Sequence, residues 1–345
     1  MSSAVASGAA SEGRRVAAAS ESHVAQAARE VLAKGNAIDA VAAGLLMAAA
    51  EAPAVLLGPV QILVGGGGAG LVAVDGRVRQ PGHGAPRRRG FLPDEPVPDA
   101  AYAGVPALPV ALAAALATLG TASPLRVAGP ALSAARARSP ERARVLEALA
   151  RRGAPVLAED SIAGELVAAA GRAARGLLTP EDLAAVRPEV IRTDERSLGP
   201  SGILRAPWRS PEGDPPATHA HVVAAVDGRG LAAIACYEAP IAGIPVPALG
   251  LVFPRAAAPV LRGKPRTSPG DPRPAAAPIF LRSQRGLLDL AIGIAAAPDA
   301  EALVAGVIAA LDELPTFAEA LRSASGGRHV AISTSRDQAR VLASA

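Results

Sequence analysis

The chain has 345 residues, with 35 Lys plus Arg against 31 Asp plus Glu, and its net charge of +4 is spread along the length rather than gathered in a tail. So weak an excess gives little support for a nucleic-acid partner, and seven aromatic residues are too few for base-stacking platforms. A single cysteine, Cys236, excludes an intramolecular disulfide framework and every CxxC metal site.

The length suits two modest domains or one large one. Met1 to Ser20 is small and polar with no apolar h-region, so no secretory signal is expected and the cytoplasm is the expected compartment. Uncharged runs over 52–74 and 101–125 are broken by Pro53, Pro59, Gly65 to Gly68, Pro106, Pro109 and Pro124. They read as core segments rather than membrane spans.

In chain order, Val24, Ala27, Ala28, Val31 and Leu32 recur at helical spacing, which predicts a helix over 22–34 with Ser22 as its cap and Gly35 as its stop. A second helix over 38–50 is apolar nearly all round and should pack on the first. Gln61 to Val64 and Leu71 to Val74 read as strands around a glycine loop, the second ending at an Asp75-Gly76 turn signal. Helices are predicted over 109–119, 139–152 and 165–175. Thr179-Pro180-Glu181-Asp182 reads as a further helix start.

Residues 192–216 have no periodicity and read as an exposed connector around a solitary Trp208. Beyond them, 218–226 and 231–237 form a hairpin on the Asp227-Gly228 turn, with Thr218 at its head. Residues 250–278 are rich in Pro and Gly. Helices over 299–311 and 316–322 and a last strand over 330–334 complete the chain.

Gly65, Gly67 and Gly70 fit GxGxxG, but a dinucleotide site needs a helix after the loop, and here a strand follows. A nicotinamide or flavin enzyme is disfavoured for that reason, and no cofactor is expected. His219 and His221 share a strand face without a third metal ligand spaced to help them, while His23, His83 and His329 are isolated.

Several stretches, in order, resemble the gamma-glutamyltranspeptidase family of N-terminal-nucleophile hydrolases. Val16 to Ser20 with His23, then Gly35-Asn36-Ala37-Ile38-Asp39-Ala40, resembles its VASxH…GNAxDA opening, and Glu51, Pro53 and Gly65 to Gly68 resemble its EP…GGGG turn. The match continues through Gly84-Ala85-Pro86, Gly104-Val105-Pro106, Leu119-Gly120, Gly129-Pro130-Ala131 and Gly176-Leu177-Leu178-Thr179-Pro180-Glu181-Asp182-Leu183. Together these stretches span most of residues 14–192.

The resemblance implies an α+β fold, the αββα sandwich of N-terminal-nucleophile hydrolases in truncated form. It divides one structural domain into a large-subunit-like part (1–192), a connector with the self-cleavage site (193–217) and a small-subunit-like part (218–345). It also implies a proenzyme that cuts itself before a Thr whose freed amine activates its own hydroxyl. Anchoring on Asp227-Gly228 places Thr218 as that nucleophile; anchoring instead on the Thr-His pair, one residue along, places Ala217 there.

On the substrate side the resemblance points to His83, His219 and Gly293. Gly82 or His83 stands where the family has a carboxylate-gripping Arg, and Pro274, Ala275, Ala276 and Ala277 replace the paired serines. Gly293 opens the stretch that stands for the oxyanion loop. No acidic counterpart of the ammonium-binding residues stands between Phe253 and Pro259. Two expectations follow. The first is an amide hydrolase or acyl transferase acting on a small-molecule amide or gamma-glutamyl-like substrate; the second is a non-catalytic scaffold that binds a partner chain or forms an oligomer.

Overall fold

The computed structural model describes residues 15–85, 90–193, 203–205, 220–273, 279–284, 287–294, 329–333 and 340–344, together with helical positions 306 and 309. Strand β1 (Val16–Ala19) leads into α1 (Ser22–Leu32) and α2 (Ala37–Glu51). The hairpin β2 (Val60–Gly65) and β3 (Leu71–Gly76) follows, then α3 (Leu108–Leu119), α4 (Pro124–Arg138), α5 (Pro140–Arg152), α6 (Asp160–Ala170) and α7 (Pro180–Ala185). Next come β4 (Glu189–Thr193), β5 (Ile203–Arg205), β6 (Ala220–Val226), β7 (Ala232–Glu238), β8 (Ile244–Val246) and β9 (Leu251–Phe253). The described strands end with β10 (Ile279–Gln284), β11 (Leu287–Ile294), β12 (His329–Ser333) and β13 (Arg340–Ser344).

Two antiparallel sheets carry the architecture. The larger runs β1-β6-β7-β2-β3-β4 and the smaller runs β13-β12-β11-β10-β5. Because side chains alternate across a strand, the large sheet sorts its residues onto two faces. Val223, Ala225, Ala233, Ala235, Val60, Ile62, Val72 and Val74 face α1, α2 and α3. Ala220, Val222, Ala224, Ala232, Ile234, Cys236, Leu63 and Ala73 face the smaller sheet and meet Leu281 and Ala291 there. The described layers are thus helix, sheet and sheet. The helices expected over 299–311 and 316–322 lie outside the described residues, apart from positions 306 and 309.

Small residues replace aromatic bulk in this core. Gly44 on α2 sits so close to β6 that an added Cβ would stand 2.8 Å from Val223 Cγ2, which lets the all-apolar helix lie flat on the sheet. Capping fixes the start of α2: Asn36 and Asp39 form a reciprocal capping box, and the buried Asp39 carboxylate also accepts from the Thr121 and Ala122 amides and the Thr121 hydroxyl.

Other expectations change in detail. Ser22 is not the α1 cap; Glu21 is, without a side-chain bond. Asp75-Gly76 is no turn. β3 runs through it, because the buried Asp75 is held in the ladder opposite Gln61 and by two arginines. The helix expected over 165–175 spans 160–170, the left-handed Arg175 closing the turn after it. Helix α4 was hidden by Gly129-Pro130, a pair that reads as a break although Pro130 lies inside the helix. The connector is not featureless, since Ile203–Arg205 pairs with β10 and Glu189–Thr193 with β3.

Candidate active site

The hairpin β6–β7 forms as predicted, with the Asp227 carboxylate accepting from the Arg229 and Leu231 amides to hold the turn. At its other end β6 begins at Ala220. Thr218, the expected nucleophile, Ala217, its rival, and His219 lie outside the described residues. What the structure provides is the surroundings of that strand end on both faces of the large sheet.

On the helix-facing side, His221, Tyr237 and Val60 are level across the ladder. The Tyr237 hydroxyl donates to Glu21 Oε2 at 2.7 Å, His221 Nδ1 lies 3.3 Å from the same oxygen, and the two rings stack 5.5 Å apart. Ser20 ties β1 to the same strand. Its hydroxyl accepts from the Val222 amide at 3.1 Å, and its own amide donates to the Val222 carbonyl. These contacts buckle the end of β6 to α1.

On the face toward the smaller sheet, a polar row crosses the strands at one level: Glu189 opposite Asp75, Asp75 opposite Gln61, Gln61 opposite Cys236, and Cys236 opposite Val222. Asp75 is fully buried and accepts from the Arg77 amide at 2.8 Å, from Arg77 Nε at 3.0 Å and from Arg79 Nη2 at 2.9 Å, so one carboxylate serves two guanidinium groups. Gln61 is 2% exposed, and its Nε2 has no acceptor among the described residues. One step nearer the strand ends, Glu238 stands directly opposite Ala220. Burial pushes its carboxyl up to about 7.

The three substrate-side residues separate. His83 lies beyond the end of β3, where its amide and Nδ1 both bond Asp182 Oδ1, at 2.8 and 2.9 Å. Asp182 is buried, and it also accepts from the amides of Gly82 and Thr179 and from the Thr179 hydroxyl. The carboxylate thereby orients the imidazole beside a cavity of about 310 Å³ that Arg79, Arg187, Glu189 and Gly270 also line. Gly293 is instead a mid-strand residue of β11, paired with Ile279 and Val330 and pressed against β6, where a Cβ would stand 2.4 Å from Val222 Cγ1. Among the described residues no three His, Cys, Asp or Glu side chains gather as a metal site. No helix there is long and apolar enough to cross a membrane.

Gln61, Asp75, Arg77 and Glu238 had no site role in the sequence reading. Each is a lone polar residue in or beside an apolar strand, and only the ladder register brings them together. Their parity with Leu63, Ala73 and Ile234 was the available signal.

No protein-family model matches the sequence, and no curated protein matches it. Solved structures do. Cephalosporin acylase from Bacillus halodurans superimposes with a TM-score of 0.69 over 96% of this chain and 94% of its own, at 15% identity. LmbA2991HD does so with a TM-score of 0.72 over 100% of this chain and 98% of its own, at 14% identity. A gamma-glutamyltranspeptidase from Pseudomonas nitroreducens, with L-DON bound, covers 67% of this chain and 72% of its own at a TM-score of 0.44 and 20% identity. The end-to-end likeness at such low identity is one of fold, and the chain has the fold of the N-terminal-nucleophile hydrolases.

Proposed function

We propose that the chain is a gamma-glutamyltranspeptidase-like amide hydrolase or acyl transferase that cuts itself before Thr218. The observation that carries this reading is the alternation of β6, whose residues Ala220, Val222 and Ala224 face the smaller sheet. By sequence parity position 218 goes with Ala220, Val222 and Ala224, whereas 217 and 219 go with His221 and Val223. Thr218 is therefore favoured over Ala217 as the nucleophile, with its freed amine as the base.

The chemistry available there suits acyl transfer. The Thr218 hydroxyl attacks the amide carbonyl of the substrate while its own amine takes the proton and passes it to the departing amine; water or an acceptor amine then releases the acyl group. Glu238, across the ladder from Ala220 and titrating near neutrality, is available as an acid or base. Gln61 Nε2 is a buried donor in want of a carbonyl.

Self-cleavage would not separate the halves. Strands from before and after Thr218 interleave in one sheet, β1 beside β6 and β2 beside β7. A panel of chromogenic acyl anilides, gamma-glutamyl anilide among them, tests the activity. Hydrolysis by the wild type that is lost in Thr218→Ala and partly kept in Thr218→Ser supports the assignment; equal rates in Thr218→Ala refute it. A wild type inert to the whole panel favours the non-catalytic scaffold.

A further inference from the structure

The GxGxxG loop that no dinucleotide fold explains lies at the opposite end of the large sheet, roughly 20 Å along β6 from Ala220. It is not isolated there. Gly67 packs on the β6–β7 turn, where a Cβ would stand 3.0 Å from Leu231, and the two turns together floor a cavity of about 640 Å³. Arg15 from the start of β1, Lys34 from the end of α1 and Arg229 from the β6–β7 turn all line it.

Among the described residues no carboxylate pairs with Arg15, Lys34 or Arg229. Asp227, the one acid in the described lining, is 4% exposed and turned to backbone amides of its own hairpin. Arg15 lies over Gly228, its Nε 3.3 Å from where a Cβ would be, and commits Nη1 to the Ala33 carbonyl at 3.1 Å, which anchors the guanidinium and leaves its other donors available. Gly66, Gly67 and Gly68 are all left-handed, and the amides of Gly67, Gly68 and Gly228 have no protein acceptor among the described residues. Glycine turns of this kind offer unshielded N–H groups to oxyanions.

We propose that this cavity is a binding site for a small phosphate-class oxyanion, of the size of a diphosphate, held by Arg15, Lys34 and Arg229 above the two glycine turns. Three cations drawn from three separate elements, with the local acid withdrawn, match an anion carrying several negative oxygens. The volume exceeds what one phosphate fills. The site is remote from the hydrolytic centre and independent of the function proposed for it.

The test is calorimetric titration of the full-length protein with pyrophosphate at low ionic strength, with inorganic phosphate and citrate as parallel probes. Saturable binding of one pyrophosphate per chain, tighter than phosphate and weakened by added salt, is expected. The double variant Lys34→Gln/Arg229→Gln, whose side chains bond no other described residue, should bind about tenfold more weakly or worse at an unchanged melting temperature. Arg15→Gln, tested separately because it also releases the Ala33 carbonyl, should weaken binding in the same direction. Arg151→Gln/Arg152→Gln on α5 should leave it unchanged. No saturation up to about 10 mM pyrophosphate, or undiminished affinity in the double variant, would overturn the site. Citrate binding where pyrophosphate fails would overturn the phosphate class.

Discussion

Glu238 stands directly across the β6–β7 ladder from Ala220, so a carboxyl whose proton affinity burial raises to about 7 lies at the strand end that precedes the hairpin turn by the length of β6. Its effect on stability has a definite sign. The native state keeps this proton between the ordinary value of 4.5 and about 7 while the unfolded chain releases it, so stability falls as pH rises through that window. Glu238→Gln should abolish the fall. Denaturant titrations should find the variant about 1–3 kcal/mol more stable than the wild type at pH 8 and equal to it near pH 4.

Gly293 is required by packing. Its missing side chain lets β11 meet Val222 and Ile234, whose methyl groups would lie 2.4 and 3.1 Å from a Cβ. Gly293→Ala should cost about 1–3 kcal/mol as the sheets are wedged apart. Val222 is four residues from Thr218, so intact-mass time courses should also find self-cleavage slowed in this variant.

Asp39 joins the start of α2 to the loop after α3 through the Asn36, Thr121 and Ala122 amides. Asp39→Ala removes a cap and orphans buried donors, a loss of about 2–4 kcal/mol by chemical denaturation. Asp39→Asn keeps the shape and should recover part of it.

Asp182 holds the loop that carries His83 onto α7. Hydrogen exchange should detect its removal locally. In Asp182→Ala the amides of Gly82, His83 and Thr179 should exchange at least about tenfold faster, while those of β2 and β7 are unchanged.

The fold was legible where local chemistry decides it. Thr179-Pro180 with Asp182 announces a helix start and makes one, and Asp227-Gly228 announces a hairpin and makes one. Legibility failed where tertiary packing overrides a local signal. Asp75-Gly76 stays extended because Arg77 and Arg79 claim the carboxylate that would otherwise turn the chain. Pro130 sits within α4, whose buried Val127, Ala131 and Leu132 pack on the core. The site was half legible. His83 shows as an isolated polar residue, but its partner Asp182 is 99 residues away. Gln61, Cys236 and Glu238 meet only through strand register.

The most direct test of the central claim is the intact mass of the purified protein under denaturing conditions, followed over time beside Thr218→Ala. The account predicts that the wild type resolves into two fragments, the second with Thr218 as its first residue, while Thr218→Ala stays whole. A wild type that remains a single uncut chain after long incubation, or fragments that begin elsewhere, would contradict it.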